Sequence, residues 1–142
     1  MQRKYNIGYT QGVFDMFHVG HLNLIKNAQR LCNTLIVGVN SDSLVQSYKN
    51  KKPVINERER VQIVNNIKGV KFAEVVDTLD KMALQQKFGF DVVFIGDDWK
   101  GTPRWNETEK NLNKIGVEVI YLPYTKGLSS TELRNIKDNR VE

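Results

Sequence analysis

His18 and His21 are the chain's two histidines, and they stand three residues apart, just ahead of Leu22, Ile25, Ala28 and Leu31. Apolar residues at that three- and four-residue spacing predict an amphipathic helix, on which residues i and i+3 share a face. At a helix start the first backbone N–H groups lack intrahelical partners and the helix dipole presents partial positive charge. Two imidazoles added there make a compact set of donors for phosphate oxygens. Gly20, between them, would let a phosphate approach the backbone closely. The same spacing also suits zinc, but with one cysteine and no third histidine only carboxylates such as Asp15 remain to complete a site, which argues against structural zinc. A GxxxxGK[ST] loop, a GxGxxG fingerprint and a GxSxG elbow are all absent, so P-loop, dinucleotide-binding and serine-hydrolase chemistry are disfavoured. On spacing alone the pair fits a surface decoration equally well. The strand before it and the helix after it favour phosphate.

Those flanking elements repeat along the chain. Short β-branched runs at Tyr5–Thr10, Thr34–Asn40, Lys71–Val76, Asp91–Ile95 and Val117–Leu122 predict strands, and the second and fourth are nearly continuous apolar runs suited to burial on both faces. Helical spacing is expected near 19–32, 42–48, 56–68, 78–88, 104–115 and 129–138. Asn56 with Glu59, and Ser129 with Glu132, are expected capping boxes. The alternation predicts an α/β fold, a Rossmann-like doubly wound sheet of about five parallel strands with helices on both faces. In such a sheet ligands bind outside the carboxyl ends of the strands at a topological switch point. The first, fourth and fifth strands would deliver three polar clusters to that edge: Gly12 to His21, then Gly96-Asp97-Asp98-Trp99, then Tyr124 to Thr131.

Composition sets the bounds. The 142 residues suit one domain, 1–142, with 40% apolar and 26% charged residues, and no run of 18 or more apolar residues that a membrane span needs. Nothing at the N-terminus resembles a signal peptide, and the lone Cys32, read as a small buried hydrophobe at a helix end, fits a reducing cytoplasm. The net charge of +5 is spread along the chain. Its one concentration, Lys49, Lys51 and Lys52, lacks the interleaved aromatics of a nucleic-acid platform, so no nucleic-acid partner is expected.

The segment GVFDMFHVGH resembles the GxFDxxHxGH signature of the cytidylyltransferases within the HxGH nucleotidyltransferase superfamily. Gly96-Asp97-Asp98-Trp99 matches the GDDW of the glycerol-3-phosphate cytidylyltransferases, and Tyr124 to Thr131 resembles their RTEGISTT, so the similarity runs over nearly the whole chain. Choline-phosphate and ethanolamine-phosphate cytidylyltransferases share the first and last motifs. The resemblance implies attack of an alcohol phosphate on the α-phosphorus of CTP, with glycerol 3-phosphate the first acceptor to consider. It implies that His18 and His21 contact the CTP phosphates and stabilise charge in the transition state. Val13 and Phe14 would approach the nucleotide through their backbones, with Gly20 beside them. Ser129, Ser130 and Thr131, with Tyr124, Thr125 and Gly127, would hold the triphosphate. Lys49, also catalytic, and Lys81 would reach the acceptor phosphate, with Asp15 nearby; Lys51 and Lys68 would face the nucleotide, and Asp98 its ribose or cytosine. Mg²⁺, a homodimer, and a role in supplying CDP-activated units to cell-wall or capsule polymers are implied in the same way.

Three positions depart from the glycerol-3-phosphate pattern. Val13 stands for a Thr, Lys68 for an Arg, and Tyr124 for the Arg opening the last motif, while Lys126 stands where the family has Glu. Lysine lacks the planar bidentate fork of arginine. These changes bear on the acceptor or the nucleotide rather than on the reaction class.

Overall fold

A computed structural model describes residues 3–123. In chain order it forms β1 (Tyr5–Gly12), α1 (Val19–Gln29), β2 (Cys32–Asn40), α2 (Asp42–Lys49), α3 (Glu57–Asn65), β3 (Val70–Val76), α4 (Lys81–Phe88), β4 (Val92–Gly96), a 3-10 turn (Asp97–Trp99), α5 (Pro103–Lys114) and β5 (Glu118–Leu122). The five strands are all parallel, in the order β3-β2-β1-β4-β5. From β1 the chain steps outward to β2 and β3, then crosses back to β4 and on to β5. The carboxyl ends of β1 and β4 therefore flank the switch-point crevice.

Successive strand residues face opposite sides, which divides the apolar set in two. Leu35, Val37, Val39, Val92 and Phe94 pack with Leu24, Ile25 and Ala28 of α1 and Val64 of α3. Tyr9, Ile36, Val93, Ile95 and Val119 pack with Leu84 of α4 and Trp105 and Leu112 of α5. Gly38 is required by this second layer, because a Cβ there would lie 2.1 Å from the Tyr9 hydroxyl. The vacated space admits the Tyr9 ring, which stacks on Phe90 at 4.7 Å.

Several element ends differ from expectation. Helix α1 closes three residues early: Arg30 N–H bonds Lys26 O, Leu31 N–H bonds Ala28 O, and Tyr5 N–H then takes Leu31 O. Cys32 accordingly opens β2 opposite Tyr5 rather than ending a helix; it is buried as expected, its Sγ 3.4 Å from Ala28 O. Helix α3 stops at Asn65 because successive i to i−3 bonds from Asn66, Ile67 and Val70 tighten the chain into the turn at Gly69, whose φ is +91°. Helix α4 starts at Lys81 rather than 78, since the Asp80 carboxylate caps it, accepting from Met82 N–H at 3.0 Å. Only half of the Asn56 box forms: Asn56 Oδ1 accepts from Glu59 N–H, but Glu59 Oε2 takes the Asn56 side-chain amide instead of its backbone N–H.

Candidate active site

Strand β1 ends at Gly12, and a six-residue loop then reaches α1. Two of its residues, Phe14 at φ 54° and Met16 at φ 48°, occupy the left-handed region that side chains other than glycine rarely adopt. Such conformations cost on the order of 1–3 kcal/mol each and persist where surrounding contacts over-determine them. Here Phe14 is buried and meets the edge of the His21 ring at 5.6 Å.

His18 and His21 form the N-terminal capping box of α1, with imidazoles where Ser and Glu usually stand. His18 Nδ1 accepts from Gly20 N–H at 3.0 Å, and His21 Nδ1 accepts from His18 N–H at 3.2 Å. A nitrogen that accepts cannot carry the ring proton, so in both rings the proton is on Nε2. The ring centres are 4.1 Å apart. His21, 1% exposed, is wedged against Phe14 and Phe17, while His18 is half-buried. With no acidic residue in the first turn, the helix's positive end is uncompensated. Two imidazole N–H donors and a helix terminus at the carboxyl edge of a doubly wound sheet suit a phosphate chain.

Arg60, in α3 and 1% exposed, fixes the loop from behind. Its Nη1 donates to Val13 O and Asn40 O, both at 2.8 Å, its Nε to Ile55 O at 2.8 Å, and its Nη2 to Asp42 Oδ1 at 2.6 Å. One guanidinium thus ties together the chain leaving β1, the chain leaving β2 and the segment entering α3. Asp15 is 4% exposed, and its carboxylate accepts from Val54 N–H at 2.7 Å and Ile55 N–H at 2.9 Å. Expected beside the acceptor phosphate, Asp15 binds backbone with both oxygens. The stretch between α2 and Val54, which carries Lys51 and Lys52, is therefore held at both ends, because Tyr48 Oη accepts from Asn40 Nδ2 at 3.1 Å where α2 closes. Lys49 is the last residue of α2, with its Nζ 6.0 Å from the Tyr48 ring centre, and Lys51 is exposed.

The cytidylyltransferase-like family model matches residues 9–136. The chain belongs to this family. It is 35% identical over 133 residues to a glycerol-3-phosphate cytidylyltransferase of Bacillus spizizenii, a match covering 88% of this chain and 92% of that one. It is 31% identical to the bifunctional protein HldE of Desulfatibacillum aliphaticivorans, where the match takes in 92% of this chain but 27% of the relative, so the chain spans about a quarter of that protein. Among solved structures, a lipopolysaccharide core biosynthesis protein from Thermoplasma volcanium superposes with a TM-score of 0.71 at 27% identity, covering 86% of this chain and 98% of that one. A pantoate-beta-alanine ligase from Francisella tularensis, TM-score 0.62 and 16% identical over 96% of this chain and 67% of that one, shares the fold alone. This cytidylyltransferase-like chain is a nucleotidyltransferase.

Within this family member the other expected site residues fall in three groups. Val13, Phe14, Gly20, Lys49, Lys51, Lys81 and Asp98 all follow the carboxyl ends of strands. Asp98 is exposed in the 3-10 turn after β4, and Lys81 opens α4, 3% exposed, its Nζ donating to Leu79 O at 2.9 Å. Lys68 does not join them. It precedes β3 at the amino edge, where its carbonyl accepts from the Gln29 side chain at the far end of α1. Eleven helical residues, about 16 Å, separate that end from the start of the helix. Tyr124, Thr125, Gly127, Ser129, Ser130 and Thr131, and the helix expected at 129–138, lie outside the described residues. Among the described residues no helix is long and apolar enough to cross a membrane.

Sequence reasoning missed Arg60. It stands in a charged run, Glu57-Arg58-Glu59-Arg60, that reads as a solvated face. The available signal was its position four residues before Val64, on the stripe that α3 buries. The chain Tyr9–Gln11–Asn40, buried beneath the site and reaching the exposed Tyr48, was missed as well. Tyr9 Oη donates to Gln11 Oε1, and Gln11 Nε2 donates to Asn40 Oδ1, each at 2.8 Å, and also to Thr78 O at 3.0 Å.

Proposed function

We propose that the chain transfers a cytidylyl group from CTP to a small alcohol phosphate, with glycerol 3-phosphate as the acceptor. The observation that carries this is the His18–His21 capping box, which keeps the proton of each imidazole on Nε2 at the positive end of α1. An oxygen of the acceptor phosphate attacks the α-phosphorus in line, a P–O bond forms, and the bond to the leaving pyrophosphate breaks. A phosphate monoester, with its second pKa about 6, is largely dianionic near neutrality, so the enzyme needs no strong base. It needs positioning and charge stabilisation, and the imidazole donors act on the oxygens where charge grows. Lys49 and Lys51, on the strap pinned by Tyr48 and Asp15, supply further positive field.

Mg²⁺ belongs to this reading as the nucleotide's counterion, where it would neutralise phosphate charge. Among the described residues no group of three His, Cys, Asp or Glu side chains could hold a metal, and Asp15 is engaged by backbone amides. The fit is therefore to an ion carried by triphosphate oxygens and water with at most a carboxylate from the protein, which is the usual habit of Mg²⁺. A cytoplasmic homodimer feeding CDP-activated units into cell-wall or capsule polymers completes the proposal, as the motif resemblance implies.

The test is pyrophosphate release with CTP or ATP against glycerol 3-phosphate, phosphocholine and phosphoethanolamine. Turnover with CTP and glycerol 3-phosphate is expected. Turnover with ATP alone would replace the proposal by adenylyl transfer, and no turnover with any pair would sink it.

A further inference from the structure

Hydrogen bonds through two side-chain amides link the ends of three adjacent strands beneath the carboxyl edge. Gln11 near the end of β1, Asn40 closing β2 and Thr78 beyond β3 meet at one side chain. Gln11 Nε2 donates to Asn40 Oδ1 at 2.8 Å and to Thr78 O at 3.0 Å, and Gln11 Oε1 accepts from the buried Tyr9 hydroxyl at 2.8 Å. The chain has one sense. The Thr78 carbonyl can only accept, so it draws the Gln11 amide nitrogen. Gln11 Oε1 must then face Tyr9, and its second N–H must face Asn40 Oδ1. Asn40 is left to present Nδ2 to Tyr48 Oη, as it does at 3.1 Å. Gly38, opposite Gln11 in the β1–β2 register, leaves the space in which the Tyr9 hydroxyl reaches the amide, since a Cβ there would lie 2.1 Å from it.

Each partner in this chain belongs to a segment that follows a strand. Asn40 O takes Arg60 Nη1, the nitrogen that also holds Val13 O, which joins the amides to the loop leading to His18 and His21. Tyr48 lies in the last turn of α2, next to Lys49, where the strap begins. Thr78 precedes Leu79, whose carbonyl accepts from Lys81 Nζ at 2.9 Å. Burying two amides is costly unless each N–H and C=O is met, and an apolar pair of similar size would fill the space without that demand. An apolar pair has no donor or acceptor ends, so it would set no register among the three segments. A fully satisfied polar network rigidifies and specifies a single arrangement.

Resting on the cytidylyl-transfer reading, we propose that Gln11 is a positioning residue for that reaction: through Asn40 and Thr78 it holds the histidine loop, the strap of Lys49 and Lys51, and the Lys81 segment in one register. Gln11 is buried, and it acts through these partners rather than by touching substrate. Donors held in place beforehand serve both substrates better than mobile ones, because the cost of ordering them does not fall on binding.

The test is a double-mutant cycle on kcat/KM for glycerol 3-phosphate at saturating CTP, with urea unfolding alongside. Gln11→Met keeps the length of the side chain and removes its three hydrogen bonds, and should lower kcat/KM by about tenfold. Tyr48→Phe removes the acceptor at the exposed end and should cost about threefold alone. Added to Gln11→Met it should cost little further, because Asn40 without Gln11 no longer holds Tyr48 in register. Tyr48→Phe also carries a second readout that stands even where Gln11→Met fails to fold. Amide hydrogen exchange at the Thr78–Lys81 connection, the far end of the chain, should quicken severalfold. Losses that multiply in full in the double variant, a lowered urea midpoint with unchanged kcat/KM, or unchanged exchange at that connection in Tyr48→Phe overturns this inference while leaving the proposed reaction standing. Absence of wild-type turnover with every nucleotide and acceptor overturns the reaction, and the inference with it.

Discussion

The two edges of the sheet handle polar groups differently. At the amino edge Asp91 accepts from the backbone N–H groups of Asn6 and Ile7, Tyr5 Oη donates to Glu118, and Asn33 reaches Asn6, all exposed or part-buried pairings that close off strand ends. At the carboxyl edge the chain buries Thr10, Gln11, Asp15, His21, Asn40, Ser41, Arg60 and Lys81. These eight are all the buried non-aromatic polar and charged side chains among the described residues. Burying such groups is costly unless every one is satisfied, and replacing them by apolar residues would often be neutral or stabilising. Stability alone does not account for their gathering at one edge. Their bonds go to loop backbone: to Val13, Asn40, Ile55, Val54 and Thr78. The carboxyl edge uses buried polarity to hold irregular loops in fixed positions, whereas the amino edge holds its turns with exposed pairings such as Gln29 to Lys68 O.

The largest expected effect breaks that contrast at its centre. Arg60→Met leaves three loop carbonyls and Asp42 without their shared donor and should destabilise the fold by about 3–5 kcal/mol, read as a lower urea midpoint. A loss under 1 kcal/mol would mean that the loops hold their positions without the guanidinium. Next comes His21→Ala, which removes a donor from the site and should cost about 2.7–4 kcal/mol of transition-state stabilisation, a hundred- to thousandfold in kcat. A near-normal rate would take His21 out of the mechanism. Asp15→Asn is smaller. One of its two oxygens becomes an N–H₂ facing a backbone donor, so about 1–3 kcal/mol of stability should go. If Asp15 positions the lysine strap rather than touching substrate, KM for CTP and for the acceptor should rise together. A change in the acceptor KM alone would restore the direct contact.

The carboxyl edge was legible in the sequence to the extent that its chemistry is local. Two of the strands are nearly continuous apolar runs and the other three short β-branched runs, so all five could be read, and His18 and His21 sit three residues apart in one helix turn. Arg60 and Asp15 act over 47 and 40 residues, on backbone atoms that leave no mark in side-chain identity. Nothing short of the fold shows that Asp15 holds the chain at Val54 and Ile55. Lys68 presents the opposite case. Similarity grouped it with nucleotide contacts, while the register of β3, with Val70 opposite Leu35, places it at the amino edge. Apolar spacing carries the expected helix past Gln29 to Cys32, whereas the i to i−3 bond from Leu31 to Ala28 ends it first.

The smallest effect sharpens the comparison from the amino edge. Burial, reinforced by the bond to Glu118, raises the Tyr5 phenol above its ordinary value of 10. A phenol whose folded pKa is raised holds its proton where the unfolded chain has lost it, so the unfolded state binds fewer protons and stability falls as pH rises above about 10. Below that pH the contribution is fully present. The melting temperature should therefore be flat in this respect from pH 7 to 9 and decline above 10, and Tyr5→Phe should decline less steeply than wild type. Turnover at pH 8 should be the same in both proteins, because Tyr5 borders no loop of the site. A Tyr5→Phe enzyme that melted normally but turned over slowly would show that the amino edge, too, holds the site in place, and the division between the edges would fail.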